Sequence, residues 1–294
     1  MSSRPSQTVT KSILVVGSVN MDVVFDVARL PRAGETVLGT SARWVPGGKG
    51  GNQAIAAARA GADVQLVAAV GADSNAAALR EHLAANDIGL DGLITLPGPS
   101  GTAAIVVDAQ GENTIVVAPG ANAHLTLDSQ PLRDLVADCD VLLIQLEIPL
   151  STALVAARQA RSAGATVVLN ASPTGGDPTV LAELAATVDV VVVNESEAQR
   201  WIWPVEHLVI TQGAKGATYV GADEQYDVAS PSVEALDTTG AGDVFAGVLA
   251  AGWSQDRRHA LQRACAAGAL ATLVPGAGDC APYDETIEDA LLGN

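Results

Sequence analysis

Short, continuous runs of Val, Leu and Ile recur along the chain, and they constrain its fold more than any other feature. They are SILVVGSV from Ser12, VQLVAAVG from Val64, VLLIQLE from Val141, ATVVLNAS from Ala165, VDVVVVNESE from Val188 and HLVITQGAKG from His207. None alternates polar with apolar as a half-exposed strand would, and none approaches the ~18 residues of a membrane span. Runs of this kind are strands buried on both faces, the signature of a parallel sheet. Ala-rich segments such as STALVAARQARSAG (from Ser151), SNAAALREHLAAND (from Ser74) and GGNQAIAAARAGA (from Gly50) read as helices between them. Strand–helix alternation predicts crossover connections and an α/β fold with helices on both faces. Hydrophobic residues make up 48% of the 294, but aromatics only 3%, so Ala and Val fill the core. The length suits one large α/β domain, and the expected organisation is a single domain over residues 1–294.

One region breaks the pattern. TAAIVVDAQGENTIVVAPG, from Thr102, places two β-rich runs around AQGEN, a hairpin signal. TVLGTSARW, from Thr36, looks like partly exposed β structure. Together they predict a small β excursion built from roughly Val23 to Trp44 and Gly101 to Pro119.

Charge and cysteine usage narrow the function. The net charge is −17, and only Lys11, Lys49 and Lys215 are lysines, so no basic cluster exists to neutralise a nucleic-acid backbone. In so acidic a chain, an anion must be bound by backbone N–H groups, metal ions and a few placed cations. Cys139, Cys265 and Cys280 form no C-x-x-C pair, so neither a zinc site nor a disulfide framework is predicted. MSSRPSQTVTKS at the start lacks an apolar signal core. The expectation is a soluble cytoplasmic protein without nucleic-acid or membrane partners.

Open parallel sheets bind ligands beyond the carboxyl ends of their strands. Asn20 and Asp22 follow the first run, Glu147 the third, Asn194-Glu195-Ser196-Glu197 the fifth and Gly213-Ala214-Lys215-Gly216 the sixth. DTTGAGD, Asp237 to Asp243, precedes an apolar helix-like stretch. Gly240 and Gly242 let the backbone turn N–H groups outward, and with the helix dipole these make an anion site. A carboxylate at its mouth, Asp243, suits a base that takes a proton from a hydroxyl attacking phosphorus, with the glycine amides holding the charge of the moving phosphoryl group. The plain alternative is an Asp that N-caps the helix after a Gly turn. GGKGGNQA, Gly47 to Ala54, is a second Gly-rich helix entry. It matches neither the Walker A spacing nor G-x-G-x-x-G. Its Lys and Asn could bind sugar hydroxyls, or it could be a tight turn.

VVGSVNMD, GGKGGNQA, GENTIVVAPGAN, LNASP, NESE, ITQGAKG and DTTGAGDVFAG occur in one order across nearly the whole chain. In that order they resemble the ribokinase-like sugar kinases, also called the phosphofructokinase-B family. The resemblance implies a three-layer α/β/α domain with a mostly parallel central sheet and a small β-sheet lid. It implies an ATP-dependent kinase with Asp243 as base and Gly240, Ala241 and Gly242 as anion hole. Asn20, Asp22, Gly48, Lys49, Asn52 and Glu147 would hold the sugar. Asn194 and Glu197 would organise Mg²⁺ and phosphates, and Thr211, Gly213 and Gly216 would line the nucleotide site. A monovalent cation, K⁺, would sit on Asp237 and on oxygens near Thr239, Val274, Gly276 and the position of Cys280. The GGKG-x-N form points to ribose, phosphorylated on its 5-hydroxyl, ahead of deoxyribose, fructose, keto-deoxygluconate or a nucleoside. A non-catalytic sugar sensor is the alternative from another class. Lids of this kind imply a homodimer.

Two departures from the family pattern stand out. Cys280 occupies a position where the family carries a Ser ligand, and a thiol is a poor ligand for K⁺. Between NESE and HLVITQG the chain is short, so a single short helix carrying Trp201 and Trp203 is expected to make the crossing. Those tryptophans either fill the gap left by a missing helix or cover the nucleotide side.

Overall fold

The computed structural model describes residues 12–293, so the polar N-terminal stretch with Lys11 lies outside the described residues. In chain order the elements are β1 (Ser12–Val16), β2 (Asn20–Val27), β3 (Gly39–Gly47), α1 (Lys49–Arg59), β4 (Asp63–Val70), α2 (Ser74–Ala84) and β5 (Gly89–Thr95). There follow β6 (Thr102–Val107), β7 (Asn113–Ala118), α3 (Gln130–Asp138), β8 (Val141–Gln145), α4 (Leu150–Ala163), β9 (Thr166–Asn170) and α5 (Pro178–Ala185). The chain closes with β10 (Val190–Asn194), α6 (Glu195–Ala198), β11 (His207–Thr211), β12 (Ala217–Val220), β13 (Gln225–Val228), α7 (Ala241–Gly252), α8 (Arg257–Ala271) and α9 (Asp284–Leu292).

The large sheet has nine strands in the order β13-β12-β11-β10-β9-β8-β1-β4-β5. From β11 through β1 to β5 every pairing is parallel, and β12 and β13 fold back antiparallel at one edge. Successive β1 side chains serve opposite cores. Ile13 and Val15 pack with residues of α1, α2, α7, α8 and α9, whereas Leu14 and Val16 pack with residues of α3, α4 and α5. That is the helix–sheet–helix sandwich expected from the doubly buried runs. Each fully buried Leu or Val contributes roughly 1.5–3 kcal/mol relative to exposure. β1 lies between β8 and β4, so the winding reverses at its carboxyl end. This is the switch point where open α/β sheets form a crevice.

The smaller sheet runs β3-β2-β6-β7, with β2–β3 and β6–β7 antiparallel and β2–β6 parallel. Its strands extend the predicted excursion at both ends: β2 begins at Asn20 and β3 continues to Gly47. The sequence signal for β2 is weak because Asn20, Asp22 and Asp26 interrupt it. Val24, Ala103 and Ile105 form a small buried cluster on one face of this sheet. On the other face, cross-strand neighbours Trp44, Val23, Ala104 and Val116 share one row.

The crossover from β10 to β11 differs from expectation. Its helix, α6, is four residues long and ends before either tryptophan. Both tryptophans lie in the irregular segment before Pro204, which disfavours helix at the residue preceding it. Trp201 instead packs against the apolar cluster of the α3–α5 face, edge-on to Trp203 at 5.2 Å.

Candidate functional site

The sites come together at the carboxyl ends of β1 and β8 and at the N-termini of α1 and α7. Gly48 caps α1 with φ 88°, and a Cβ there would lie 2.8 Å from the backbone of Val19 and Asn20. Only glycine lets the loop after β1 press so closely on α1. Lys49 and Asn52 then face the crevice from the first turn of α1, with Gln53 fully buried behind them. Gly247 brings α7 equally close, since a Cβ there would lie 2.4 Å from the Gln53 carbonyl oxygen.

That contact sets Asp243 over α1. Its Oδ2 accepts from Asn52 Nδ2 at 3.0 Å and its Oδ1 from Gln53 Nε2 at 3.0 Å, and Lys49 Nζ stands 4.0 Å from Oδ1. Asp243 is therefore not the N-cap of α7. The cap is Gly240, at φ 81°, where a Cβ would strike Ala277 at 2.7 Å. Asp243 is buried, and its carboxylate is committed across the crevice rather than to its own helix.

The other sugar-site candidates surround it. Asp22 is buried and accepts from Ala103 N at 3.2 Å. Burial, with the nearby charges of Glu147 and Asp243, outweighs that bond and pushes the Asp22 carboxyl up to about 7. Glu147 accepts from Ser18 Oγ and from the Lys49 backbone N–H at 3.1 Å. Burial alone would push the Lys49 ammonium down, but Asp243, Glu147 and Glu197 outweigh it and hold it above the usual lysine range. Asn20 is buried and accepts from Asn122 Nδ2 at 2.8 Å, while Asn122 also bridges both backbone polar groups of Val19. The structure thus gathers Asn20, Asp22, Gly48, Lys49, Asn52, Glu147 and Asp243 around one crevice.

Beside the α7 N-terminus opens a cavity of about 640 Å³. Ala241, Gly242, Asn194, Thr211, Gly213 and Gly216 all line it. A Cβ on Gly242 would meet nothing, so this turn is open to a ligand. The Ala241 N–H reaches back to the Thr238 carbonyl at 3.3 Å, a long bond that leaves Gly242 as the freer amide. The cavity's apolar wall, which sequence reading missed, comes from Pro231 and Val233 after β13, Phe245 of α7, and Cys265 and Ala269 of α8, whose small residues look like core. Trp201 and Trp203 do not line it; they border a separate hollow with Ile202, Pro204 and Val205.

Asn194 and Glu197 close a capping box: Asn194 Oδ1 accepts from Glu197 N at 2.9 Å, and Glu197 Oε2 from Asn194 N at 2.8 Å. Asn194 lies at the cavity wall and Glu197 is the buried strut behind it. At the far end of the Asp237–Asp243 motif, Asp237 accepts from Thr239 N at 2.9 Å and Gly276 N at 2.8 Å. Burial pushes this carboxyl up, but the bonds from Thr239 and Gly276 outweigh it and hold it below the usual range. Val274 precedes Gly276 in the turn after α8. Cys280 Sγ lies 3.9 Å from Thr239 O and 3.4 Å from Ala277 O, and burial pushes its thiol up to about 11, so it stays protonated. One ionised carboxylate with backbone oxygens nearby fits a hard monovalent cation; the thiol does not.

Residues 10–284 match the model of the pfkB family of carbohydrate kinases. This chain belongs to that family. Among its relatives, the ribokinase of Bacillus subtilis is 37% identical, over 96% of this chain and 99% of its own length. The ribokinase of Haemophilus influenzae is 33% identical over 95% and 98%. A solved Thermotoga maritima ribokinase superposes with a TM-score of 0.86 at 30% identity, covering 96% of this chain and 99% of that one. Arabidopsis thaliana ribokinase complexed with ribose and ATP superposes at 0.87 and 26% identity, over 96% and 99%. In this pfkB chain, the residues that sequence reading missed are Ser18, Gln53, Asn122, Gln145 and Asn170. Gln145 left one signal, a carboxamide ending an otherwise apolar strand, and Gln53 another, its place inside GGKGGNQA.

Proposed function

We propose that this chain is an ATP-dependent kinase that transfers the γ-phosphoryl group to the 5-hydroxyl of ribose. What carries this reading is the position of the Asp243 carboxylate. It is held by Asn52 and Gln53 between the polar crevice and the cavity lined by Ala241 and Gly242. The family and its ribokinase relatives support the same assignment.

Vicinal sugar hydroxyls find acceptors in Asp22 and Glu147 and donors in Lys49 and Asn52. Asp243 takes the proton of the 5-hydroxyl as that oxygen bonds to the γ-phosphorus, and the bond to the bridging oxygen breaks to release ADP. The amides of Gly242 and Ala241, at the positive end of α7, hold the charge on the moving phosphoryl group. Lys49 balances the carboxylates. Mg²⁺ would arrive with the nucleotide. Bound there it would neutralise phosphate oxygens, near Asn194. K⁺ would sit on Asp237 and the backbone oxygens of Thr239, Val274 and Gly276.

The exposed row of Trp44 and Val116, flanked by Phe25, gives the smaller sheet an apolar outer face. We assign it as a lid that pairs with a second copy, because an uncovered apolar sheet is an aggregation liability. Light scattering should give twice 29.7 kDa at micromolar concentration; the monomer mass would refute pairing. No helix among the described residues is long and apolar enough to cross a membrane. Free, buried Cys139, Cys265 and Cys280 accord with a cytoplasmic setting.

ADP release with Mg·ATP and K⁺ is the test, run against ribose, deoxyribose, fructose, keto-deoxygluconate, adenosine and uridine. The expected result is the highest kcat/KM with ribose. Preference for another acceptor would overturn the substrate and keep the Asp243 chemistry. No turnover with any of them would favour a sugar sensor.

A further inference from the structure

Gln53 and Gln145 are fully buried, so neither can touch a substrate. Yet they form a chain that ends on Asp243. Gln145 Nε2 donates to Gln53 Oε1 at 2.8 Å, and Gln53 Nε2 donates to Asp243 Oδ1 at 3.0 Å and to Asn170 Oδ1 at 3.1 Å. Asn170 Nδ2 in turn donates to the Val192 carbonyl at 3.3 Å. The direction is forced. A carboxylate only accepts, so Gln53 must turn its NH₂ toward Asp243; its Oε1 then faces Gln145, which must present its own NH₂. The arrangement carries a cost. Gln145 Oε1 is buried with no hydrogen-bond partner, and only the missing side chain of Gly17 leaves room for it, since a Cβ there would lie 1.9 Å away. Two apolar side chains would fill this space without an unsatisfied oxygen.

We infer that Gln53, backed by Gln145, is a positioning residue for the base, fixing the Asp243 carboxylate with neutral donors that neither protonate it nor balance its charge. The nearest ammonium, Lys49 Nζ, stands 4.0 Å from Oδ1, beyond hydrogen-bonding range, so the bonds that fix the carboxylate come from neutral groups alone. The charged and titratable groups facing Asp243 are Lys49 from α1, Asp22 from β2, Glu147 after β8 and Cys280 from the loop after α8. None of them lies on this amide chain. The inference rests on the proposed role of Asp243.

The test compares Gln53→Met, Gln145→Met and Asp243→Asn in the full chain. Single-turnover phosphoryl transfer to ribose is followed against pH, with KM for ribose and ATP and the melting temperature. Gln53→Met should slow transfer about 10-fold at neutral pH, leave both KM values within about 3-fold, and move the acid limb up by about one pH unit, because the carboxylate loses a donor. Gln145→Met should act in the same direction and less strongly. A folded Gln53→Met variant with the wild-type acid limb overturns the inference, as does a rise in KM with the transfer rate unchanged. If Gln53→Met does not fold, Gln145→Met decides alone: a displaced limb supports the inference and an unmoved one overturns it. Near-normal transfer in Asp243→Asn would instead remove the base assignment itself.

Discussion

Replacing Gly247 by Ala tests whether helix packing sets the base. The added Cβ would lie 2.4 Å from the Gln53 carbonyl oxygen, 2.8 Å from Ala56 Cβ and 3.1 Å from Ala57 N. Ordinary contacts of a Cβ begin at 3.4 Å. The obstacles are mainly backbone and cannot rotate aside, so α7 must move from α1 by about 1 Å, far more than a packed core tolerates freely. Overpacking of this kind costs about 1–3 kcal/mol, partly offset by up to ~1 kcal/mol from the better helix propensity of Ala. At roughly 2 °C per kcal/mol for a chain of this size, Tm should fall by a few degrees. Activity should suffer more. Asp243 lies one helical turn before Gly247 on the same face, and the bonds from Asn52 and Gln53, each 3.0 Å, would stretch past hydrogen-bonding range. A displacement of about 1 Å at a reacting group can cost ~10²-fold in rate. The assay is kcat and both KM values with ribose and Mg·ATP, beside calorimetric Tm. Gly51→Ala is the control, on the facing helix α1, where a Cβ would find Leu83 and Val19 at 3.8 Å. It should be neutral or slightly stabilising, with wild-type kcat. Wild-type activity and Tm in Gly247→Ala would refute the packing account, and a Gly51→Ala variant as damaged as Gly247→Ala would refute it equally.

Asp243→Asn should lower kcat at least ~10²-fold while ribose affinity, read by calorimetric titration, stays nearly unchanged; an unaltered kcat removes the base. For Asp22, the folded-state carboxyl near 7 stands above its unfolded value of 3.8. The stability linked to its bound proton is complete below about pH 4 and lost as pH rises through 7, a change of up to a few kcal/mol. Asp22→Asn should therefore gain on the wild type between pH 5 and 8 in urea melts, and parallel curves would refute the shift. Removal of K⁺ should slow turnover. Asp237→Ala should blunt that response and Cys280→Ser, restoring an oxygen donor, should sharpen it; identical K⁺ titrations for all three proteins would dismiss the cation site.

The layers of the fold were legible because each Val-rich run is buried on both faces, and sequence registers that directly. β2 was half hidden, since its side chains alternate between the body and the open face, with Asn20 and Asp22 turned into the crevice. The crossover misled for a local reason: Asn194 and Glu197 start a helix at the strand end, but Pro204 disfavours helix at Trp203 before it. In the site, the side chains and amides that face the crevice and the cavity were readable from strand ends and glycine turns. Gln53, Gln145 and Asn170 were not, because a carboxamide on a buried helix or strand announces its partner only once α1, β8 and β9 are placed side by side.

The crevice contains three carboxylates of identical chemistry, and the structure gives each a different set of donors. Asp22 receives one backbone N–H and no adjacent cation, and its carboxyl rises toward neutrality. Glu147 receives a hydroxyl and a backbone N–H, which hold it against the loop after β1. Asp243 alone receives two side-chain amides, with the Lys49 ammonium behind them. It is also the only one of the three carried on α7, whose N-terminal amides open into the adjoining cavity. A proton acceptor for an attacking hydroxyl must be fixed in direction and adjacent to the phosphoryl group at once. Donor count and helix placement combine only at Asp243, so what singles it out as the proposed base is its neighbours and not the carboxylate itself.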